Sequence, residues 1–456
     1  MAALREALTA ALGPHDRMLW DARRGVALRD IALGSSLGGN AGDLAGRSVL
    51  IRTHGQLAAA LALVELDGSA RRLVLCPPDL AEEHLGAVIA GAQIDAIVSD
   101  GAAPDLRPDG PAFFPLSLPL TPLAARPETR QATEWLMFTS GTTGVPKMVI
   151  HTLEGLTGAI RRADPHAPPP VWGTFYDIRR FGGLQILLRA LLAGGSMILS
   201  DAGESVSGHL DRLGRLGVTH LSGTPSHWRR ALMTPAIAAI RPGYVRLSGE
   251  VADQAVLDSL QAQFPGAAVG HAYASTEAGV GFEVNDGREG FPAALIDNPG
   301  GAVAMRVVGG ALQLRSARAA SGYAGEGAPV LIDADGFVDS GDMVERRGDR
   351  YHFVGRRGGV INVGGLKVHP EEIEAVINRH PAVRMSLVKA RRSPITGAIP
   401  VAEVVLKDAD SEGAATRDSI LATCRGALAP FKVPALLKFV SALNVTASGK
   451  LERPHA

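Results

Sequence analysis

Nine consecutive residues, Thr139-Ser140-Gly141-Thr142-Thr143-Gly144-Val145-Pro146-Lys147, carry four hydroxyls, two glycines and one cation. Apolar runs, Trp135–Phe138 and Met148–Ile150, flank them. Glycine lets backbone N–H groups approach an anion, hydroxyls add donors and lysine adds charge, so the stretch suits a loop that closes on phosphate oxygens. Pro146 directly before Lys147 excludes a Walker A loop, which needs Gly-Lys followed by Ser or Thr. A solvated Gly/Thr hairpin is the other reading of the same residues.

Four further stretches combine suitable groups. In Tyr273-Ala274-Ser275-Thr276-Glu277 an aromatic face suits a nucleobase, Thr276 can donate to phosphate and Glu277 is a hard oxygen ligand for Mg²⁺. The same residues also read as a strand end with Ser275 or Thr276 capping a helix. Asp339-Ser340-Gly341-Asp342 offers a carboxylate that can accept both hydroxyls of a ribose, and is equally an ordinary turn sequence. Gly355-Arg356-Arg357-Gly358-Gly359 fits a hinge whose first arginine reaches a nucleotide, or a surface turn. The last is Thr446 to Arg453 with Lys450 on a glycine turn, a lysine that near a chain end is usually just solvated.

The elements that position these stretches follow from patterning. Ser48–Thr53, Leu73–Cys76 and Ala96–Val98 are apolar strand-like runs separated by helical stretches from Gln56 and from Glu82 to Ile94, the alternation of a parallel sheet with helical crossovers. Residues 101–134 carry seven prolines and read as a connecting segment. Alternation resumes from Gly183 through Ala267–Val269 and His271–Tyr273. From about Ala302 short strands and tight turns predict a small antiparallel barrel or distorted sheet. Beyond Gly355–Gly359, a plausible boundary, helices at Pro370–Asn378 and Arg417–Leu428 and strands at Ser386–Val388, Val401–Leu406 and Leu437–Val440 predict a compact α+β module.

Composition narrows the classes. A chain of 456 residues exceeds one core of usual size, and 46 Lys+Arg against 46 Asp+Glu gives no drive toward nucleic acid or an anionic membrane. Cys76 and Cys424 stand too far apart in sequence to form a metal cluster by themselves. The N-terminus meets charge at once and no apolar run is long enough to span a bilayer, so a cytoplasmic, soluble protein is expected.

Order and spacing carry more than any one motif. Together the stretches resemble the adenylate-forming superfamily of acyl-CoA synthetases, carrier-loading adenylation domains and luciferases, from about Ser48 to Arg453. The resemblance implies an α/β fold: a large N-terminal domain of parallel α/β sheets plus a small β-barrel (1–355), and a small mobile α+β C-terminal domain (356–456). It makes Thr139, Ser140, Gly141, Thr142, Thr143, Gly144 and Lys147 a phosphate loop. Ser248, Gly249 and Glu250 would line the adenine, and Tyr273, Ala274 and Ser275 the stacking segment. Thr276 and Glu277 become catalytic, Glu277 as the Mg²⁺ ligand. Asp342 becomes the ribose aspartate and Arg356 a nucleotide contact. Gly365 and Lys367 would lie on the C-terminal face that receives the thiol, and Lys450 would be the adenylation lysine. The implied reaction joins a carboxylic acid to ATP as an acyl-adenylate, then transfers it to CoA with AMP and pyrophosphate released.

Two departures accompany the resemblance: Gly358 stands where the hinge commonly has Asp or Lys, and Ala274 where glycine is usual. The acyl side should draw on Trp172–Gly183, Ser222–Pro225 and Ala278–Gly281, with Asp177 either a specificity residue or a solvated loop residue. A phosphopantetheine arm on a carrier protein acting in trans is the other acceptor, and a catalytically lapsed nucleotide-binding module the other class. Glu277, Asp342 and Lys450 argue against lapse.

Overall fold

The computed structural model describes residues 2–103, 110–123, 131–139, 146–161, 167–298, 300–393, 397–446 and 449–452. Ser140, Gly141, Thr142, Thr143 and Gly144 of the phosphate-loop stretch lie outside the described residues, as does Ser448.

A seven-stranded sheet orders Gly322–Tyr323, Met148–Thr152, Glu134–Phe138, Arg72–Leu75, Ser48–Ile51, Ala96–Ser99 and Ala112–Pro115. The last five are mutually parallel, while Met148–Thr152 pairs antiparallel with both its neighbours. Leu73, Val74 and Leu75 are all fully buried, so this strand reads as a continuous apolar run rather than an alternation, as a sheet covered on both faces requires. The prolines between residues 101 and 134 mask an element: Ala112–Pro115 is the parallel edge strand, where Pro115 lacks an N–H at little cost.

An eight-stranded sheet orders Gly279–Val284, Ala268–Ser275, Tyr244–Ser248, His220–Gly223, Val171–Thr174, Ser196–Ile198, Met18–Trp20 and Gly25–Ala27. Its six inner strands are parallel and both edges antiparallel. The N-terminal segment thus supplies two strands. Ala267–Val269 and His271–Tyr273 are one strand, Ala268–Ser275, continuous through Gly270. Helices Gln56–Leu66 and Phe181–Leu192 lie in one shared core cluster with residues of both sheets, and every residue of Gln56–Leu66 is buried, including Glu65.

A third sheet, antiparallel, orders Phe291–Pro292, Arg350–Arg356, Val338–Arg347, Ala311–Ser316 and Val303–Val308. The Asp339-Ser340-Gly341-Asp342 stretch lies inside the Val338–Arg347 strand and not on a turn between strands. Gly341, at φ 69°, helps the strand carry an irregular register there. After Gly359 the chain builds a separate sheet from Ile361–Val363, Leu366–Val368, Val383–Ser393, Gly397–Leu406 and Leu436–Phe439, with helices Pro370–Ile377 and Ala414–Ala427. Its own core joins Ile373, Ile377, Val404, Ile420, Cys424 and Leu437. No helix among the described residues is long and apolar enough to cross a membrane.

Candidate active site

Parallel strands end at a common edge, so the residues following His220–Gly223, Tyr244–Ser248 and Ala268–Ser275 converge there. Those residues are Thr224, Gly249-Glu250 and Thr276-Glu277. Gly249 makes its turn at φ 88°, and the Ser248 carbonyl accepts a hydrogen bond from the Tyr176 hydroxyl at 2.9 Å.

The third sheet brings Asp342 to this edge. The Tyr273 hydroxyl donates to Asp342 Oδ2 at 2.6 Å, and Arg356 Nε donates to Oδ1 at 2.9 Å. Ser340 Oγ donates to the Leu312 carbonyl at 2.6 Å and accepts from Asp342 N at 3.1 Å, which fixes the backbone from which the aspartate projects. Burial first, then the Asp342 charge, hold the Tyr273 hydroxyl far above its usual pKa. Burial works to lower the Arg356 pKa, but Asp342 raises it overall. The Tyr273 ring stacks near-parallel with Phe282 at 5.5 Å and with Phe353 at 5.2 Å, so it is one rung of an aromatic ladder. Each Asp342 oxygen has one protein donor and keeps a further lone pair, so the carboxylate can accept two more hydroxyls.

The Thr276-Glu277 turn is pinned through its carbonyls. His151 Nε2 lies 2.7 Å from the Thr276 oxygen, and because a carbonyl only accepts, the proton sits on Nε2. His151 is 1% exposed, and burial pushes its pKa down to about 4, so the ring is neutral; its Nδ1 has no partner among the described residues. Ala320 N donates to the Glu277 carbonyl at 2.9 Å. No helix follows: Ser275 Oγ accepts from Ala278 N at 3.0 Å and the chain returns as the Gly279–Val284 strand. The half-buried Glu277 carboxylate makes no hydrogen bond among the described residues, and its charge reaches Arg356 and Tyr323. Ala274 packs on the large core. At the phosphate-loop stretch, Thr139 N donates to the Lys147 carbonyl at 3.0 Å, and the exposed Lys147 ammonium stands 5.4 Å over the Tyr323 ring.

Lys450 reaches this edge from the C-terminal sheet's end of the chain. Thr224 Oγ1 donates to the Gly449 carbonyl at 2.8 Å, and Leu451 N donates to Glu250 Oε1 at 2.9 Å, so both neighbours of Lys450 are held. Gly449, at φ 74°, lies against the buried His227 ring: a Cβ there would overlap Cε1 and Nε2 and stand 2.7 Å from Nδ1. Lys450 Cε would be 3.5 Å from a Cβ on Gly249. The Lys450 side chain keeps solvent access, yet the protein around it, then Arg356 and Arg180, lower its pKa while Glu250 and Asp342 oppose the shift. We read it as lying in an open cleft, ringed by protein but not covered.

Tyr273, Glu250, Asp342, Arg356 and Lys450 therefore come together, with Ser248, Gly249, Thr276 and Glu277 on the same edge. Gly365 and Lys367 do not. They sit on the exposed Ile361–Val368 hairpin and make no hydrogen bond or ion pair to that group among the described residues. Asp177 is neither solvated nor available: it is buried in an ion pair with Arg179, at 2.6 Å between Oδ2 and Nη2, and Arg179 also donates to the Thr53 carbonyl. Ser226, His227, His151 and Phe353 were missed from sequence, and Thr224 was expected only within the acyl-side segment Ser222–Pro225, not as a partner of the Lys450 loop. Thr224-Pro225 does carry a signal, an N-cap followed by proline at the first helical position, and the structure shows a capping box there with His227.

A family model for AMP-binding enzymes matches residues 52–324, and one for the AMP-binding enzyme C-terminal domain matches 372–450. The chain belongs to the AMP-binding enzyme family. Among curated relatives, a 2-succinylbenzoate–CoA ligase of Salmonella typhimurium is 29% identical over 273 residues, 59% of this chain and 57% of that one. A benzoate–CoA ligase of Thauera aromatica is 27% identical over 347 residues, 70% of this chain and 64% of that one. The chain thus spans less than two thirds of those relatives' length. An anthranilate CoA ligase in complex with anthranoyl-AMP superposes at TM-score 0.80 and 18% identity, covering 99% of this chain and 95% of that one. An amide bond synthetase from Marinactinospora thermotolerans superposes at 0.77 and 19%, covering 98% and 97%. These likenesses show the fold.

Proposed function

We propose that the chain is an AMP-forming carboxylic acid–CoA ligase, dividing at about 355/356 into a nucleotide-binding domain and a mobile C-terminal domain. One observation carries the reading. Lys450, almost at the far end of the sequence, is clamped over the Ser248–Glu250 edge beside the Tyr273–Asp342–Arg356 cluster. A carboxylate is a poor electrophile until one of its oxygens joins a good leaving group. Attack of that oxygen on the α-phosphorus of ATP forms the P–O bond of an acyl-adenylate as the bond to pyrophosphate breaks.

The reaction gathers anions, so cations and donors that are already in place lower its barrier. Lys450 meets the carboxylate and α-phosphate oxygens, Asp342 accepts from the ribose hydroxyls, and Thr139 to Thr143 with Thr276 donate to phosphate. Tyr273 and the Ser248–Glu250 backbone flank the base, and Lys147 steadies the loop or the pyrophosphate. Among the described residues no three His, Cys, Asp or Glu form a metal site by themselves. Glu277 alone fits a Mg²⁺ that phosphates and water complete, as that ion usually prefers. Bound there, Mg²⁺ would neutralise phosphate charge. Acyl transfer then needs Lys450 withdrawn and the Lys367 face presented to the thiol, through a rotation near Gly358.

ATP–pyrophosphate exchange across fatty, aryl, hydroxy and amino acids, with and without CoA, tests this. We expect exchange with at least one acid and thioester on adding CoA. No exchange with any acid would end the enzyme reading. Exchange without CoA thioester, but with acylation of a phosphopantetheinylated carrier, would make a carrier protein the acceptor.

A further inference from the structure

Glu250 entered as a residue lining a nucleobase, but its carboxylate is committed elsewhere. Oε2 accepts from Ser226 N at 2.9 Å, and Oε1 accepts from Ser226 Oγ at 3.0 Å and from Leu451 N at 2.9 Å. Ser226 sits in the first turn of the Pro225–Ala231 helix, within the nucleotide-binding part. Two of the three bonds therefore persist wherever the C-terminal part moves, and only the bond to Leu451 spans the two parts. On the other side of the lysine, Thr224 Oγ1 donates to the Gly449 carbonyl at 2.8 Å. Residues 449 and 451 are both anchored, which fixes the Lys450 backbone between them.

We propose that Glu250 is a positioning residue: a latch, preset by Ser226, that holds the Lys450 loop in the acid-activating arrangement and releases it by breaking one hydrogen bond. The inference rests on the reading of Lys450 above. The geometry gives Glu250 two properties suited to that task. Its bond to Leu451 is charge-assisted and so stronger than the neutral Thr224 bond. When the loop departs, the carboxylate keeps its two Ser226 donors, so release leaves no buried charge without a partner. A latch without that support would make release costly and slow the acyl-transfer step.

The bland alternative is that Glu250 only caps the short helix at Ser226. Glu250→Ala and Glu250→Gln, with Ser226→Ala as a variant that leaves the Leu451 donor in place, separate the two. One readout needs no substrate: amide hydrogen exchange of peptides spanning residues 443–452 in the full chain. The other compares adenylation with thioester formation from a supplied acyl-adenylate.

For a latch, Glu250→Ala loses protection at the Leu451 amide, and adenylation kcat falls about 10- to 100-fold, the range of a lost charged hydrogen bond. KM for ATP moves less than about threefold, and thioester formation keeps its rate or rises. Glu250→Gln, whose amide oxygen can still accept from Leu451 N, recovers part of the loss, and Ser226→Ala loses less than Glu250→Ala. Equal loss in both half-reactions, or unchanged protection of the 443–452 peptides, overturns the latch. If the wild-type chain activates no acid, the ligase reading fails, while the exchange protection still decides whether Glu250 holds the loop.

Discussion

Gly449→Ala is the sharpest steric test of the closed site. The residue adopts φ 74°, where a β-carbon costs about 1–2 kcal/mol, and that carbon would overlap the His227 ring. His227 is buried and its ring takes part in the Thr224 capping box, so it cannot simply swing away. Overpacking of such a site costs about 1–3 kcal/mol more. The docked loop should lose about 2–5 kcal/mol, a roughly 30- to several-thousand-fold fall in adenylation, measured as ATP–pyrophosphate exchange. Thioester formation from a supplied acyl-adenylate, for which the proposed rotation withdraws the loop, should hold. Gly449→Ala combined with His227→Ala should regain the steric part and retain only the backbone cost, about 5- to 30-fold. Wild-type exchange by Gly449→Ala would refute the reasoning. So would a double variant that is no better than the single one when His227→Ala alone is active.

The remaining predictions concern the nucleotide cluster and the buried charges. Tyr273→Phe and Asp342→Ala should each raise KM for ATP about tenfold or more, and their double variant should cost less than the sum, because both remove the same 2.6 Å bond; full additivity would mean that the two act apart. Asp177→Asn leaves the Arg179 guanidinium buried without its carboxylate and should cost about 3–5 kcal/mol in denaturant unfolding, with no change in acid preference; a shifted acid preference without destabilisation would make Asp177 a substrate contact. Burial holds His151 near pKa 4 and His227 near 3, both below the ordinary 6.5. Below about pH 6.5 the unfolded chain takes up protons that the folded one refuses, so the stability held above that pH is lost as it falls toward 4, by up to about 1.4 kcal/mol per pH unit per histidine. Urea midpoints that stay level from pH 7 to pH 5 would contradict this.

The candidate site stretches were legible because each is local: a run of hydroxyls and glycines or an aromatic four residues from a carboxylate keeps its meaning without a fold. Their order then implied the family, and strand–helix alternation implied the parallel sheets. What sequence did not show is contact across distance. The bonds from Thr224 to Gly449 and from Glu250 to Leu451 join residues more than 200 apart and leave no periodic or compositional trace. Nothing local in the sequence marks His151, whose partner is the distant Thr276 carbonyl. Asp177 fits neither of its two sequence readings, specificity residue or solvated loop residue, for the opposite reason: its partner Arg179 is two residues away, and only burial shows that the two charges pair with each other. Ala112–Pro115 was lost among prolines because an edge strand tolerates them.

The central claim is that Lys450 acts in acid activation and is withdrawn for acyl transfer. Lys450→Ala, assayed in the two half-reactions separately, tests it most directly. Loss of a cation aimed at developing charge predicts a fall in ATP–pyrophosphate exchange of about 10²–10³-fold. Thioester formation from the supplied acyl-adenylate should stay within about threefold of wild type. Equal loss of both half-reactions, or retention of both, would contradict the account.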